Sequence, residues 1–206
     1  MTTPPSFAFC AFSFLAQWQE SECALHKALS SSHPTEDDIL KALSYFQVSR
    51  TFKGLREPGN TKIVLDAFIH IRDDRTLLTP EEKVDRLASS FQRTFKQFNL
   101  SAATKLLWLS NRKSFIIYDA RAVRALTHHF PHRGCDNSYT EYSNAWRKEF
   151  EKVQDEIQAA VEILPTGRVF MRSCPPDMQE LVRMANETWF TERVFDIFLW
   201  EVGAPQ

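Results

Sequence analysis

Apolar residues recur at intervals of three and four over most of this chain, which is the pattern of amphipathic helices. One predicted helix follows Thr35, where a run of acidic residues precedes Leu43 and Phe46 on one apolar face. A second begins at Thr79, which is followed by a proline at the first helical position and a glutamate at the third. We expect this helix to run to about Phe98.

The second half of the chain shows the same periodicity. Ser138 with Glu141 predicts the start of a long helix, which Pro165 and Gly167 should end. The apolar residues of this helix share one stripe, which consists of Trp146, Phe150, Val153, Ile157, Ala160 and Leu164. Such a stripe packs against a core.

The remaining apolar spacing predicts one further helix and very little β-structure. After Pro175-Pro176 the spacing predicts one apolar helix to Trp200, with Gly203 as its C-cap. The most strand-like run, Phe115–Tyr118, is short enough to be an extended linker between helices. Pro131–Asn137 is predicted as a loop. The expected fold class is therefore all-α, with about eight helices.

The composition agrees with an all-α fold and limits the class of protein to which the chain can belong. The chain has 206 residues, of which 43% are hydrophobic and only five are glycine, so hairpins are improbable and one core or two small lobes are expected. Its four cysteines are scattered, which predicts reduced thiols and neither a zinc ribbon nor an iron–sulfur cluster. No apolar run approaches the ~20 residues that span a bilayer. We expect one cytoplasmic, monomeric domain over residues 1–206, without a metal or cofactor.

The net charge of −1 conceals a strong asymmetry. Residues 91–133 contain eight basic residues, three histidines and a single acid, Asp119, whereas the remainder carries 17 basic and 25 acidic residues. A basic segment in an otherwise acidic chain is typical of a phosphate-binding face, because Lys and Arg release counterions from nucleic acid. The alternative is a solvated face that acidic helices neutralise.

A predicted helix in this segment carries polar groups along one line. Asn99 can turn the chain into a helix that runs to about Ser110, and Ala103, Leu106 and Leu107 form its packing face. Another face carries, at helical spacing, Ser101, Lys105, Trp108 and Arg112. A hydroxyl, two cations and an indole in one line are suited to holding phosphates and stacking a base.

Asp119 precedes a helix in which Val123, Leu126 and Phe130 share one face, and it is well placed as the N-cap. Most aspartates in such a position only cap. This one is also the sole carboxylate in the basic stretch, where the helix dipole and neighbouring arginines favour its ionised form. A carboxylate beside a DNA groove disfavours binding, but it can stabilise a sugar that develops positive charge.

The run from Phe115 to Leu126, within Asn99–Leu126, resembles the catalytic segment of helix-hairpin-helix DNA glycosylases. The resemblance implies an all-α, two-lobed fold with the active site between the lobes, and an enzyme that flips a modified base and cleaves its N-glycosidic bond. It assigns Asp119 to stabilising the oxocarbenium-like sugar and positioning water. Members that also cleave the strand use an exposed helical lysine, here Lys105, to attack C1′.

Three departures from the family limit what the resemblance carries over. The hairpin Asn99-Leu100-Ser101-Ala102 lacks the usual Gly-x-Gly phosphate loop, so the helix-hairpin-helix is degenerate. Lys105 lies more than a helical turn closer to Asp119 than the family's lysine, which favours a monofunctional enzyme. The iron–sulfur cysteines are absent. In size and motif the chain also resembles a phage-defence glycosylase that removes glucosylated hydroxymethylcytosine, which suggests that base in antiviral defence.

The expected partner is double-stranded DNA with a modified base, and the expected site lies within about residues 91–133. Its catalytic residues are Asp119 and Lys105, and its pocket residues are Trp108 and Tyr118. The expected DNA contacts are Ser101, Thr104, Arg112, Lys113, Arg121 and Arg124. Two alternatives stay open. One is a helical DNA-binding protein without catalysis, and the other is a metal-dependent nuclease that uses His128, His129, His132 and Cys135.

Overall fold

The computed structural model describes residues 4–130, 132, 134–136, 138–167 and 177–205, which contain helices and connecting segments but no β-strand. The prediction of an all-α fold is confirmed. The helices are α1 (Phe7–Gln17), α2 (Cys23–Ser30), α3 (Glu36–Tyr45), α4 (Asn60–Arg72), α5 (Pro80–Phe95), α6 (Leu100–Ser110), α7 (Ala120–His128), α8 (Tyr139–Glu162), α9 (Leu164–Gly167), α10 (Met178–Ala185) and α11 (Thr188–Val202). A π-helical turn, Trp18–Glu22, follows α1, and a 3₁₀ turn, Val48–Arg50, follows α3.

The helices form two compact units. One is the continuous stretch Cys23–Tyr118, which we call the inserted unit. The other, the terminal unit, combines Met1–Glu22 with Asp119–Gln206. The chain therefore passes from unit to unit at Glu22–Cys23 and at Tyr118–Asp119. The assignment of residues 1–206 to one domain stays a prediction.

The inserted unit is built around α6, which packs against α2, α3, α4 and α5. Its residues from Ala102 to Leu109 are buried on every face of the helix, polar ones included. A helix that is hydrophobic on nearly all sides belongs in the middle of a bundle. The surrounding helices are amphipathic and turn their apolar faces towards it.

The terminal unit is built around α11, which packs against α1, α7 and α8. This helix is also buried on most sides, and it brings two charged side chains, Arg193 and Asp196, into the interior. The Arg193 guanidinium donates to the buried carboxylate of Glu22 at 2.8 Å. Trp146 Nε1 donates to Asp196 Oδ1 at 2.8 Å. Both buried polar side chains therefore have hydrogen-bond partners, as burial requires.

Local capping signals in the sequence set most of the helix starts. Thr35 and Thr79 each form a capping box, and Ser138 accepts from the amide of Glu141. The predicted starts of these three helices are confirmed. The helix from Thr79 ends at Phe95 rather than near Phe98, because Lys96 takes a left-handed conformation with φ 56°.

The tail differs from its prediction. A single apolar helix was expected up to Trp200, but the chain breaks at Asn186 and Glu187, which separate α10 from α11. That prediction is wrong, whereas Gly203 is confirmed as the C-cap of α11. Pro175 and Pro176 lie outside the described residues. Across the described ranges, no helix combines the length and apolarity that crossing a bilayer would need.

Candidate functional site

Asp119 is the N-cap of α7, as its position in the sequence predicts. Its Oδ1 accepts a hydrogen bond from the amide of Arg121 at 2.9 Å, and its carbonyl oxygen accepts from the amide of Val123 at the same distance. The side chain is half-buried. A carboxylate in this position is held by backbone donors at the positive end of the helix dipole. Its position is therefore fixed by the first turn of α7.

The segment before Asp119 is an extended linker rather than a strand. Phe115, Ile116 and Ile117 are buried in the inserted unit, and Tyr118 is half-buried. The amide of Tyr118 donates to Thr104 Oγ1 at 3.0 Å, which fastens the end of the linker to α6. The apolar run thus anchors the chain immediately before Asp119.

Thr104 is fully buried, and its hydroxyl also donates to the carbonyl oxygen of Leu100 at 2.9 Å. This position contradicts the prediction that the Thr104 side chain binds DNA. The hydroxyl holds the linker instead, because it can accept from Tyr118 while it donates within α6. Sequence spacing alone did not show this use, since the linker arrives fourteen residues later.

Lys105 is only 3% exposed. The expectation of an exposed lysine, which came from the family resemblance, is therefore wrong. Its ammonium donates to Ser101 Oγ at 2.6 Å and to the carbonyl oxygen of Tyr118 at 3.4 Å. It also lies 5.7 Å from the centre of the Phe46 ring. Lys105 therefore contacts the last residue of the inserted unit, and Asp119 is the next residue along the chain.

The line of polar groups predicted for α6 is not a surface. Trp108 is 2% exposed, so its indole cannot stack on a base outside the unit, and its prediction as a pocket residue is contradicted. The physical reason is that α6 is enclosed by helices from distant parts of the chain. Arg112 lies beyond the end of α6, in the turn that continues through Lys113. Arg112 is half-buried and Lys113 is exposed.

On α7, the two predicted phosphate contacts differ in their surroundings. Arg124 is exposed to solvent. The Arg121 guanidinium lies 3.8 Å from the centre of the Trp200 ring, in a cation–π stack at the end of α11. Gly203 packs closely against the backbone of Arg121, because a Cβ built on this glycine would lie 1.9 Å from the Arg121 carbonyl oxygen. Sequence reasoning found Gly203 as a cap but missed that it contacts α7.

Two of the four residues proposed as a metal site, His132 and Cys135, have other partners. His132 Nε2 and Glu149 Oε1 are 2.5 Å apart, and Glu149 also binds Lys152 at 2.6 Å. Cys135 is buried with its sulfur 3.3 Å from Thr127 Oγ1. His128 and His129 are exposed on and after the end of α7. Within the described ranges no three His, Cys, Asp or Glu residues are grouped to hold a metal.

The alternative of a metal-dependent nuclease at this segment stays a prediction. The predicted loop that contains these residues is only partly described, since Pro131, Arg133 and Asn137 lie outside the described residues.

Two carboxylates of α11 have unusual electrostatics that the sequence analysis did not single out. Burial raises the pKa of Asp196 to about 8, against the opposing effects of Arg193 and the Trp146 hydrogen bond. Burial also raises the pKa of Glu192 to about 7. The sequence could have identified both residues, because they interrupt an otherwise apolar helix and charged residues are rarely buried without a reason.

Comparison with known proteins supplies no family for the chain: no family model matches it, and no characterised sequence or solved structure is significantly similar.

Proposed function

We propose that the protein is a DNA glycosylase that flips a modified base out of the duplex and cleaves its N-glycosidic bond. One observation carries the proposal. Asp119 follows a buried, extended linker and is held at the head of α7 by the amide of Arg121. This is the arrangement that the resemblance assigns to the catalytic carboxylate, in a segment that is otherwise basic.

The main requirement of this reaction is a negative charge placed close to the sugar. The bond between sugar C1′ and the base nitrogen breaks with both electrons leaving on the base, and positive charge develops on the sugar. The Asp119 carboxylate stabilises that charge, and preorganised electrostatics of this kind are usually the largest contribution to catalysis. Water then adds to C1′ and loses a proton, while the departing base gains one, which leaves an abasic site.

Lys105 acts in this proposal as a positioning residue. Its ammonium is buried and donates to the carbonyl oxygen of Tyr118, the residue joined to Asp119 by a peptide bond. Together with Thr104, it fixes the end of the linker. A lysine used in this way is not free to attack the sugar, so we propose a monofunctional enzyme.

Cations near the two ends of the linker along the chain supply the phosphate contacts, and two of them, Lys113 and Arg124, are exposed. We assign these contacts to Lys113 and Arg112 in the inserted unit, and to Arg124 and Arg121 in the terminal unit. Such contacts fix the register of a protein on DNA without reading its sequence. Glucosylated hydroxymethylcytosine is the first base to test, on the strength of the resemblance alone.

The decisive experiment compares Asp119→Asn with the natural protein. Asparagine caps helices as well as aspartate does, so α7 should persist and thermal stability should change little. Base release should fall by at least about a hundredfold, the order seen when one transition-state contact is removed. Abasic sites would be counted on unmodified, oxidised, alkylated and glucosylated duplexes.

The controls separate charge from capping. Asp119→Ala removes both and should cost about 1 kcal/mol of stability. Arg124→Ala should weaken DNA binding while it leaves Asp119 in place. Base release by Asp119→Asn at the natural rate would overturn the role of the carboxylate.

The plain N-cap geometry of Asp119 also favours a second candidate, a helical DNA-binding protein without catalysis. That protein would bind duplexes but release no base from any of them. Asp119→Ala would then alter stability alone.

A further inference from the structure

A cavity of about 350 Å³ lies in the inserted unit, where the end of α6 meets α4 and the beginning of α5. Its size falls within the range of small-molecule binding sites in proteins. Leu78 and Pro80 contribute apolar wall, while Arg72, Lys83, Asn111 and Ser114 contribute polar groups. Apolar walls with a few convergent polar groups are the usual composition of such sites.

Lys83 brings a positive charge to this cavity. Its ammonium donates to the carbonyl oxygens of Asp74 at 2.9 Å and Arg72 at 3.5 Å, which uses two of its three protons. Throughout the ranges described here, no carboxylate forms an ion pair with it. The side chain is half-buried, and the carboxylates of Asp73 and Asp74 are near enough to interact with its charge without forming a direct ion pair.

Arg72 is a rigid part of the wall. Its guanidinium donates to the carbonyl oxygens of Leu29 at 2.9 Å and Ser31 at 2.8 Å, and it makes two bonds to the Asp73 carboxylate. These contacts use four of its five protons. Asp73 pairs with Arg72, and Lys83 adds a second cation to the cavity wall.

Ser114 adds a hydroxyl donor on the side of the cavity formed by the turn after α6. Its oxygen accepts from Asn111 Nδ2 at 2.9 Å, which orients the hydroxyl and leaves its own proton to donate. Lys83, Arg72 and Ser114 therefore each keep one proton that their protein contacts do not use. Three donors around one cavity match the three terminal oxygens of a phosphate monoester.

We propose that this cavity binds a small phosphate monoester. The phosphate is held by Lys83, Arg72 and Ser114, and an apolar or aromatic body lies against Leu78 and Pro80. Such a group reaches the protein as a free small molecule or as the terminal phosphate of a DNA strand. The site is independent of Asp119 and holds whether or not the protein is a glycosylase.

The test measures binding of phenyl phosphate to the full chain by calorimetry and by the shift in melting temperature. We expect one site per chain, with benzoate binding much more weakly because it offers two oxygens instead of three. Lys83→Met should weaken phenyl phosphate binding about tenfold or more, the effect of losing one charged hydrogen bond. Lys83→Arg should retain most of the affinity.

Two further variants keep the proposal falsifiable if Lys83→Met unfolds. Leu78→Trp should block the cavity and abolish phenyl phosphate binding without a change of charge. Lys53→Met, which removes an exposed lysine of the same unit outside the cavity, should leave binding unchanged. Equal binding by the natural protein and Leu78→Trp would overturn the site.

The source of the phosphate is resolved with duplexes that carry or lack a 5′-phosphate. Tighter binding of the phosphorylated duplex that disappears in both Lys83→Met and Leu78→Trp would assign the cavity to a DNA end. Binding of phenyl phosphate without that preference would assign it to a free small molecule. Either result supports the proposal, whereas benzoate binding as tight as phenyl phosphate, or no binding of phenyl phosphate at millimolar concentration, would contradict it.

Discussion

Lys105 is a lysine in the interior of a helical bundle, and its surroundings determine what it can do. Its ammonium is bound by a hydroxyl oxygen at 2.6 Å and a carbonyl oxygen at 3.4 Å, below an aromatic ring. A Schiff base needs an amine that is free to reach the sugar. The contacts of Lys105 favour a structural use of its charge instead.

We therefore expect no covalent adduct between the protein and DNA. Borohydride added during base release should trap no protein–DNA complex, while abasic sites accumulate. Lys105→Met should lower stability, since it leaves the partner groups of the ammonium unpaired in the interior. A trapped complex that disappears in Lys105→Met would assign the lysine to attack on C1′.

Asp196 is the second buried titratable group with a clear consequence. It is enclosed in the terminal unit and accepts from Trp146 Nε1, and burial raises its pKa from 3.8 to about 8. In the unfolded chain it ionises near 3.8, so between these values the folded state holds a proton that the unfolded state has lost. Stability contributed by the neutral acid is therefore complete below about pH 4 and is lost as the pH rises through 8.

The expected slope is a loss of about 1.4 kcal/mol of unfolding free energy per pH unit for this single proton. Asp196→Asn should flatten the profile between pH 4 and 8 and should be the more stable protein at pH 9. Urea unfolding followed by tryptophan fluorescence would measure it. Glu180→Gln, an exposed change on α10, is the control, and an unaltered slope in Asp196→Asn would contradict the assignment.

At the scale of elements, the contact between α7 and α11 has one weak point. Arg121 participates in it twice, because its guanidinium stacks on Trp200 and its carbonyl oxygen faces Gly203. Its amide also binds Asp119, the N-cap of α7. A Cβ at Gly203 would also lie 3.1 Å from the amide nitrogen of Ala125. Both atoms belong to the backbone of α7, so they can move only with the helix.

Gly203→Ala should therefore displace α7 or the end of α11 and cost about 1–3 kcal/mol of stability, as other overpacked interiors do. Melting temperature would show the cost, and base release per folded molecule should fall with the shift of Asp119. Gly59→Ala is a suitable control. Its φ of 83° strains an alanine, but nothing lies near the added Cβ, and it is in the inserted unit. If Gly59→Ala lost base release while Gly203→Ala kept it, the activity would not depend on the position of α7.

How far the sequence predicts these elements depends on the range of the interaction that decides them. Capping at Thr79 and at Asp119 depends on neighbours within four residues, and the sequence gives it correctly. The burial of Lys105 and Trp108 depends on α2, α3, α4 and α5, which enclose α6 from distant positions. The mostly apolar sequence of α6 is consistent with a central helix, but the helical spacing of Ser101, Lys105 and Trp108 is equally consistent with a polar face.

In the candidate site, too, the sequence predicts what depends on local features and misses what depends on distant residues. Asp119 could be identified because one carboxylate in a basic stretch is a feature of composition. Its supports could not, since Thr104 reaches Tyr118 across fourteen residues and Gly203 reaches Arg121 from the other end of the terminal unit. The cavity with Lys83 and Arg72 also lies outside the basic segment that charge patterning singled out.

At the scale of the whole molecule, the two units differ in how the chain builds them. The inserted unit, Cys23–Tyr118, is one continuous segment with its own buried helix α6, whereas the terminal unit is assembled from both ends. A continuous segment with its own core is the usual unit of independent folding. The difference can be examined by expressing each part alone.

A fragment comprising residues 23–118 should be helical by circular dichroism and should unfold cooperatively in urea. A fragment comprising residues 119–206 should not, because it lacks α1, against which α8 and α11 pack. Addition of a peptide with the sequence of residues 1–22 should restore its helicity. Cooperative unfolding of 119–206 without that peptide would show that α1 is dispensable.

The split construction of the terminal unit also bears on how the protein is made. Glu22 and Arg193, which pair in its interior, are 171 residues apart. At about 5–20 residues per second, a ribosome needs on the order of 10–30 seconds to deliver the second after the first. Throughout that interval the newly made α1 exposes Phe14 and Leu15, which are fully buried in the finished protein, so a nascent chain of this sequence should be a substrate for ribosome-associated chaperones.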